Sequence, residues 1–213
     1  MPAMTRRPPA QVPRPSLSER RQVRRRQLLD AAIDVIRREG ADVTMEEMAS
    51  AGGISKPILY RHFVDRDGLV AAITETALVE IGTILDAKIA EARADRPPHS
   101  IRATIDAFFE YVEREPQLYR FIVASGSGGG NRATTAFTER IAERVAETLA
   151  QVLVEHRRDP APAAIWGRAI VGMVQHTAAW WIGGADIARR DAVDTLTDLA
   201  WMGMAGSTVS ARD

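Results

Sequence analysis

The chain contains no cysteine among its 213 residues, which excludes disulfide bonds and thiolate metal sites. It also lacks a run of about 18 consecutive apolar residues, the length that spans a membrane. We therefore expect no membrane span. The first 16 residues are basic but no apolar segment follows them, so we expect no secretory signal and a cytoplasmic location.

An excess of charge is missing too, because 28 Lys/Arg balance 28 Asp/Glu. The distribution is uneven, however. Residues 1–70 hold 13 Lys/Arg against 9 Asp/Glu, and the remainder holds 15 against 19. This asymmetry points to an anionic partner for the N-terminal part. A basic tail on a neutral globule fits the same counts, and charge alone does not decide between the two.

Patterns typical of an enzyme are absent. Four histidines are scattered along the chain, and no cluster has the spacing of metal ligands. The glycine-rich stretch 126–130 follows a predicted helix and lacks the Lys-Ser/Thr of a phosphate-binding loop. We expect neither enzymatic activity nor a metal or cofactor.

What is present is helical periodicity with clear start and stop signals. The pattern predicts nine helices and no strand, hence an all-α fold. The longer helices are expected at about 18–39, 65–94, 134–156, 164–182 and 187–205. We predict a disordered basic arm at 1–17, a first domain at 18–67, a second at 68–206 and a tail at 207–213. The fourth helix would join the two domains.

The segment from Thr44 to Leu69 is the most informative part of the chain. Thr44 and Glu47 have the spacing of a capping box, and Gly52-Gly53 then supplies a tight turn. A second short helix follows the turn, with Pro57 tolerated in its first turn. Two short helices around a tight turn predict a helix-turn-helix, whose second helix reads base edges in the DNA major groove.

This segment resembles the DNA-binding domain of the TetR family of transcriptional regulators. The resemblance is carried by Ala51-Gly52-Gly53-Ile54-Ser55, Leu59-Tyr60-Arg61-His62-Phe63, Asp65-Arg66 and Leu69. It covers about residues 24–70 by motif, and beyond them only length and helix order match. It implies an N-terminal three-helix DNA-binding domain and a C-terminal helical domain for effector binding and dimerisation.

Carried over by position, the resemblance implies phosphate contacts from Thr44, Tyr60 and Arg66. The positions expected to face bases or to adjoin them are Lys56, Pro57, Ile58 and Arg61, and His62 is expected to support phosphate binding or helix packing. The chain departs from the family pattern at three places: Arg66 replaces the usual lysine, Gly68 a common acidic residue, and Ile58 a small polar one. We expect Gly68 to weaken the first turn of the fourth helix.

The last two helices are the expected contact with a second copy, because a dimer presents two recognition helices to a palindromic operator. Small residues there permit close approach, and four tryptophans add apolar area. The predicted dimer interface comprises Gly172, Ala179, Leu196, Ala200 and Gly203. The tryptophans also fit the protomer's own core, and we expect them to be split between the two roles.

The resemblance further implies an effector pocket in the second domain, which the sequence predicts to be apolar. We expect a small lipophilic or aromatic ligand. The candidate lining residues, each of which also fits an ordinary core position, are Phe108, Phe109, Tyr111, Phe121, Phe137, Met173 and His176. The expected function is a ligand-responsive regulator, by family default a repressor. The alternative is an apolar ligand-binding protein without DNA binding, against which Lys56, Tyr60 and Arg66 argue.

Overall fold

The computed structural model describes residues 16–92, 97–126 and 132–206. These ranges hold nine α-helices and no strand, which confirms the all-α prediction. The helices are α1 (Leu17–Glu39), α2 (Met45–Ala51), α3 (Lys56–Phe63), α4 (Arg66–Ala92), α5 (Pro97–Arg114), α6 (Pro116–Gly126), α7 (Arg132–Glu155), α8 (Ala163–Ile182) and α9 (Arg189–Gly206). The predicted disordered arm, but for its last two residues, and the predicted tail lie outside the described residues.

Local capping fixes the ends of the first helices. Thr44 forms the predicted capping box, since its backbone N–H donates to the Glu47 carboxylate at 2.7 Å and its hydroxyl accepts from the Glu47 N–H at 3.3 Å. Gly40 ends α1 with a φ of 111°, which favours glycine. Ser55 occupies the N-cap of α3, but its hydroxyl makes no capping bond.

Two apolar cores lie along the molecule, and α4 contributes to both. The first core joins α1, α2 and α3 to the start of α4, and α6 adds Leu118, Phe121 and Ile122. The second core joins the middle of α4 to α5, α8 and α9. Helix α4 therefore connects the two cores.

One stretch of α4, Arg66–Lys88, is long and apolar enough to cross a membrane by length and composition alone, and half of its most apolar window is buried in the protein. Leu69 and Ile73 are fully buried in the first core, and Ile81 is buried in the second. The apolar character of α4 thus serves packing within the fold.

An ion pair connects the first core to the second. The Arg37 guanidinium at the end of α1 donates to both carboxylate oxygens of Glu115, at 2.8 and 3.0 Å. The Glu115 side chain is only 12% exposed. A two-pronged contact of this kind fixes orientation as well as distance, so it holds α1 against the junction of α5 and α6.

Candidate nucleic-acid interface

The turn between α2 and α3 needs both of its glycines. Gly53 has a φ of 67°, a conformation that other residues rarely adopt. At Gly52 the constraint is space, because a Cβ there would lie 2.6 Å from the Leu28 Cδ2 atom of α1. The backbone N–H of Ile54 closes the turn by donating to the Ala49 carbonyl at 3.0 Å. The turn is thus fixed against α1, and with it the angle of α3.

Helix α3 presents its predicted DNA-contacting residues outward. Leu59 and Phe63 are buried one turn apart, which places the intervening side chains on the opposite face. All eight predicted DNA-contact positions are partly or fully exposed: Pro57, Ile58, Arg61, Thr44 and Arg66 are exposed, and Lys56, Tyr60 and His62 are half-buried. The structure therefore brings these positions together on one end of the molecule.

Lys56 is engaged within the protein. Its ammonium group lies 2.6 Å from a carboxylate oxygen of Glu46 on α2 and 5.9 Å from the centroid of the Tyr60 ring. The hydrogen bond to Glu46 raises the pKa of Lys56. Contact with DNA requires Lys56 to exchange this carboxylate for a phosphate or a base. Glu46 was not among the predicted site residues, because nothing in the sequence pattern shows that two residues ten positions apart meet across a turn.

His62 lies near four arginines, of which only Arg61 was among the predicted site residues. Its Nδ1 atom is buried and has no hydrogen-bond partner among the described residues. Burial lowers the pKa of His62, and the positive charges of four arginines, Arg21, Arg24, Arg61 and Arg25, lower it further. Three of these four belong to α1. Their spacing in the run of arginines was visible in the sequence, but their convergence on α3 depends on the packing of α1.

The connection from α3 to α4 is a strained turn. Val64 has a φ of 71° and a ψ of −59°, and the Asp65 N–H donates to the Phe63 carbonyl across it at 2.9 Å. This is a γ-turn with positive φ, which is rare and costly for a β-branched residue. Asp65 then caps α4 by accepting the Gly68 N–H at 2.7 Å.

The structure explains why position 68 is a glycine, which the family pattern did not suggest. A Cβ at this position would lie 2.0 Å from the Phe63 carbonyl oxygen, closer than any tolerable contact. The close approach of α4 to the end of α3 therefore requires glycine. Instead of weakening the first turn, as we expected, Gly68 permits the tight turn that places Arg66 beside α3.

The predicted pocket residues do not form one group. Phe108, Phe109 and Tyr111 are buried in the second core, and Phe108 meets Phe109 and Tyr119 edge to face, at 6.5 and 6.0 Å between centroids. The remaining predictions diverge: Phe121 is buried in the first core, Met173 is half-buried against the second, His176 is exposed on α8, and the side chain of Phe137 lies outside the described residues.

Two surface grooves lie near these residues, and neither is lined by a predicted pocket residue. The groove between α6 and α8 has a volume of about 250 Å³. Its lining residues are Tyr119, Arg120, Val123, Ala124, Ala179 and Ile182. The second groove, of about 280 Å³, lies beside Arg37 where α1 meets α4 and α6, and contains three carboxylates.

Helices α8 and α9 each carry an apolar surface that faces outward. Gly172 and Gly203 are exposed on these helices. Leu196 and Ala200, in contrast, are only 5% and 7% exposed in the protomer's own core, and Ala179 is half-buried against that core. The prediction placed these residues on the wrong face. The large exposed residues, which we name the α8/α9 face, are Ile165, Trp180, Leu199, Trp201 and Met202.

Comparison with known proteins agrees with this architecture. Residues 28–73 match the family model "Bacterial regulatory proteins, tetR family", and residues 83–212 match "Tetracyclin repressor-like, C-terminal domain". An uncharacterized HTH-type transcriptional regulator of Mycobacterium tuberculosis is 30% identical over 86% of this chain and 78% of its own length. The HTH-type transcriptional activator FasR of Mycolicibacterium smegmatis is 33% identical over 48% of this chain and 46% of its own.

Solved structures show the same fold at low identity. A TetR-like transcriptional regulator from Rhodococcus sp. RHA1 has a TM-score of 0.63 at 24% identity, covering 92% of this chain and all of that one. AibR, solved in complex with isovaleryl coenzyme A and operator DNA, has a TM-score of 0.60 at 19% identity, covering 83% and 97%. Family models, relatives and fold thus agree with the geometry of α2 and α3, and the chain belongs to the TetR family of helix-turn-helix transcriptional regulators.

Proposed function

We propose that this protein acts in the cytoplasm as a repressor that binds a palindromic operator as a homodimer and leaves it when a small lipophilic effector binds. The observation that carries the proposal is the outward face of α3. Lys56, Ile58 and Arg61 turn away from the core there, flanked by Thr44 and Arg66 at two helix starts. Flexible cations can read guanine acceptors, and an apolar side chain such as Ile58 fits a thymine methyl group.

The α8/α9 face supports the dimer. Leu199 and Met202 are 61% and 67% exposed, one turn apart on α9, and Trp180 on α8 is 55% exposed. Large contiguous apolar surfaces are rare on monomers and typical of association sites. A two-fold contact through this face would present two copies of α3 to successive turns of a duplex, about 34 Å apart.

The groove between α6 and α8 supports the effector. Tyr119 lines it and also packs edge to face on Phe108 of the second core, so a ligand in the groove would press on the predicted aromatic residues. Its lining is mainly apolar, and the exposed Arg120 stands beside it. This combination fits a lipophilic molecule with an anionic group. The AibR complex indicates that the fold accommodates an acyl ligand and DNA.

The route from effector to operator would run through α4. Ligand entry displaces α6 and α8 against α5, α5 shifts α4, and α4 carries Arg66 and the turn that supports α3. The separation of the two recognition helices then changes. An effector achieves this only to the extent that it binds the released state more tightly than the operator-bound state.

Fluorescence anisotropy on a duplex that the wild-type protein selects from a randomised pool tests operator binding. Lys56→Ala should weaken binding, as should Tyr60→Phe, and wild-type affinity should fall steeply with salt. Glu46→Gln should strengthen binding, because it frees Lys56. In the Lys56→Ala background, Glu46→Gln should have a smaller effect. Failure to select any duplex would favour the alternative, a ligand-binding protein without DNA binding.

The effector proposal has its own test. Short-chain acyl coenzyme A thioesters and the corresponding free acids should lower operator affinity. Ala179→Leu, which fills the groove, should abolish this response and leave operator binding intact. Ala161→Leu, an exposed alanine in the loop before α8, is the control and should respond as the wild type does. Equal operator affinity with and without every ligand would contradict this part of the proposal.

A further inference from the structure

The first three turns of α1 pack on little of the protein. Every residue from Leu17 to Gln27 is exposed, and the first buried residue of the helix is Leu28. These 11 residues extend about 16 Å at the rise of an α-helix. The helix nevertheless starts at a complete capping box formed by Ser16 and Glu19. A helix segment that packs on little of its own protein gains little stability from the core, so contact with a partner would add stability to it.

This segment, which we name the α1 extension, is rich in arginine. It holds Arg20, Arg21, Arg24, Arg25 and Arg26 against a single acidic residue, Glu19. The Glu19 carboxylate is engaged at the helix start, where it accepts the Ser16 backbone N–H. The extension therefore presents a dense positive charge that its own carboxylate does not neutralise.

Two of the arginines are held against the DNA-reading elements. The Arg24 guanidinium donates to the Gly52 carbonyl in the turn between α2 and α3, at 3.0 Å. The Arg25 guanidinium lies over the ring of Phe63 on α3, 4.7 Å from its centroid. The charges of Arg21, Arg24 and Arg25 also reach His62 on α3. The arginine surface is thus continuous with the surface of α3.

These arginines differ from most arginines on helices α5 to α9. Among the described residues, Arg21, Arg24 and Arg25 have no carboxylate within 4 Å, and neither do Arg120 and Arg140. Six other arginines of those helices form ion pairs: Arg102, Arg114, Arg144, Arg168, Arg189 and Arg190. Like charges held close together destabilise a fold unless an anion joins them. The charge pattern therefore calls for a polyanion at this end of the molecule.

We propose that the α1 extension is a second phosphate-binding surface, on which Arg21, Arg24 and Arg25 contact the operator backbone beside the groove that α3 enters. The proposal rests on the proposed function, because the occupant is the same duplex. The arginines contact phosphates and no base edges, so they add affinity and orientation and leave the preferred sequence unchanged.

The test compares two double variants of the full-length protein on the selected duplex. Arg21→Ala/Arg25→Ala removes two phosphate contacts per protomer, hence four from the operator-bound dimer, so the slope of log affinity against log salt should become shallower by about 4. Arg21→Lys/Arg25→Lys keeps both charges and should keep the slope. The control is Arg140→Ala/Arg158→Ala, which removes two exposed arginines remote from α3 and should keep the slope as well. Thermal unfolding of each variant establishes that it is folded.

Each outcome separates this inference from the proposed function. If the wild-type slope is steep and Arg21→Ala/Arg25→Ala leaves it unchanged, the α1 extension does not bind phosphates, and the proposed DNA-binding function still stands. An equal loss in the lysine variant overturns the α1 surface too, since the effect would then come from packing on Phe63. A changed base preference contradicts the phosphate role. If the wild-type protein binds no duplex, the proposed function fails first.

Discussion

The two ends of this molecule expose opposite kinds of chemistry. Around α3, Arg21, Arg24 and Arg25 lie at the surface with no carboxylate within 4 Å among the described residues. On the α8/α9 face, Leu199 and Met202 point away from the core that the other side of α9 helps to build. One end leaves charge without counter-charge, and the other leaves apolar area in contact with water.

This difference agrees with the partners that we propose. Unneutralised cations gain most from a polyanion, because binding releases the ions condensed on it. Exposed apolar side chains gain most from a surface like themselves, because burial removes about 25 cal/mol per Å² of unfavourable hydration. A regulator that binds DNA at one end and a second copy at the other would carry both kinds of surface, separated along one chain.

The largest effect is expected from placing charges on the α8/α9 face. Leu199→Glu/Met202→Glu places four carboxylates in a two-fold contact, and desolvating them should weaken dimerisation by at least about 100-fold. Operator affinity should fall with it, because a single α3 makes few contacts. Sedimentation equilibrium measures the association. Val154→Glu, which charges another exposed apolar residue on α7, should leave the dimer intact. Equal dissociation in both variants would contradict the proposal that the α8/α9 face forms the dimer contact.

The next largest effect concerns the turn between α3 and α4. Gly68→Ala brings a Cβ against the Phe63 carbonyl and should lower the free energy of unfolding by about 3 kcal/mol. Gly82→Ala lies in the same helix, where a Cβ meets nothing within 4 Å, so it should stabilise by about 0.5 to 1 kcal/mol. Urea denaturation compares the two. Similar values for both variants would mean that the turn relaxes freely.

A smaller effect tests the ion pair between the two regions. Arg37→Gln leaves the half-buried Glu115 carboxylate without its cation and should lower stability by about 1 kcal/mol. Arg102→Gln breaks the pair with Asp194, whose side chain is 42% exposed, and should cost less than about 0.5 kcal/mol. Chemical denaturation of the two variants ranks the pairs. If Arg102→Gln lowers the free energy of unfolding as much as Arg37→Gln does, the burial of Glu115 does not strengthen its ion pair with Arg37.

The smallest effect concerns the charge around His62. The pKa of His62 is lowered in the folded protein. As the pH falls below about 6.5, the unfolded chain is therefore protonated at His62 to a greater extent than the folded protein. Stability should therefore fall as the pH drops through this range, by less than about 1 kcal/mol from this group. His62→Gln should flatten the decline. A decline unaltered in His62→Gln would show that neither burial nor the neighbouring arginines lower the pKa of this histidine.

Much of the DNA-reading region was predictable because its signals are local. The capping box at Thr44, the glycine turn and the inward Leu59 and Phe63 each depend on hydrogen bonds or spacings within a few residues, and the structure confirms them. The partners of the site residues were not predictable. Glu46 meets Lys56 across the turn, and the arginines of α1 reach His62 only because α1 packs on α3.

The C-terminal helices show more clearly that helical periodicity does not predict which apolar face is buried. Helix α9 has apolar residues on two faces, and the pattern does not say which one the protomer uses. Leu196 and Ala200 are in the core, whereas Leu199 and Met202 are at the surface. Similarly, the aromatic residues predicted to share a pocket divide between two cores, with Phe121 in the first and Phe108 in the second.

The sequence alone determined the helices, their ends and the helix-turn-helix, because these follow from contacts between near neighbours along the chain. It also determined the family, since the motif is long and local. The tertiary structure decided which apolar face became core, which cations stayed without counter-charge, and why Gly68 has no side chain. Those outcomes depend on surfaces that meet only after distant helices have packed, and a spacing along one helix carries no information about the surface that will cover it.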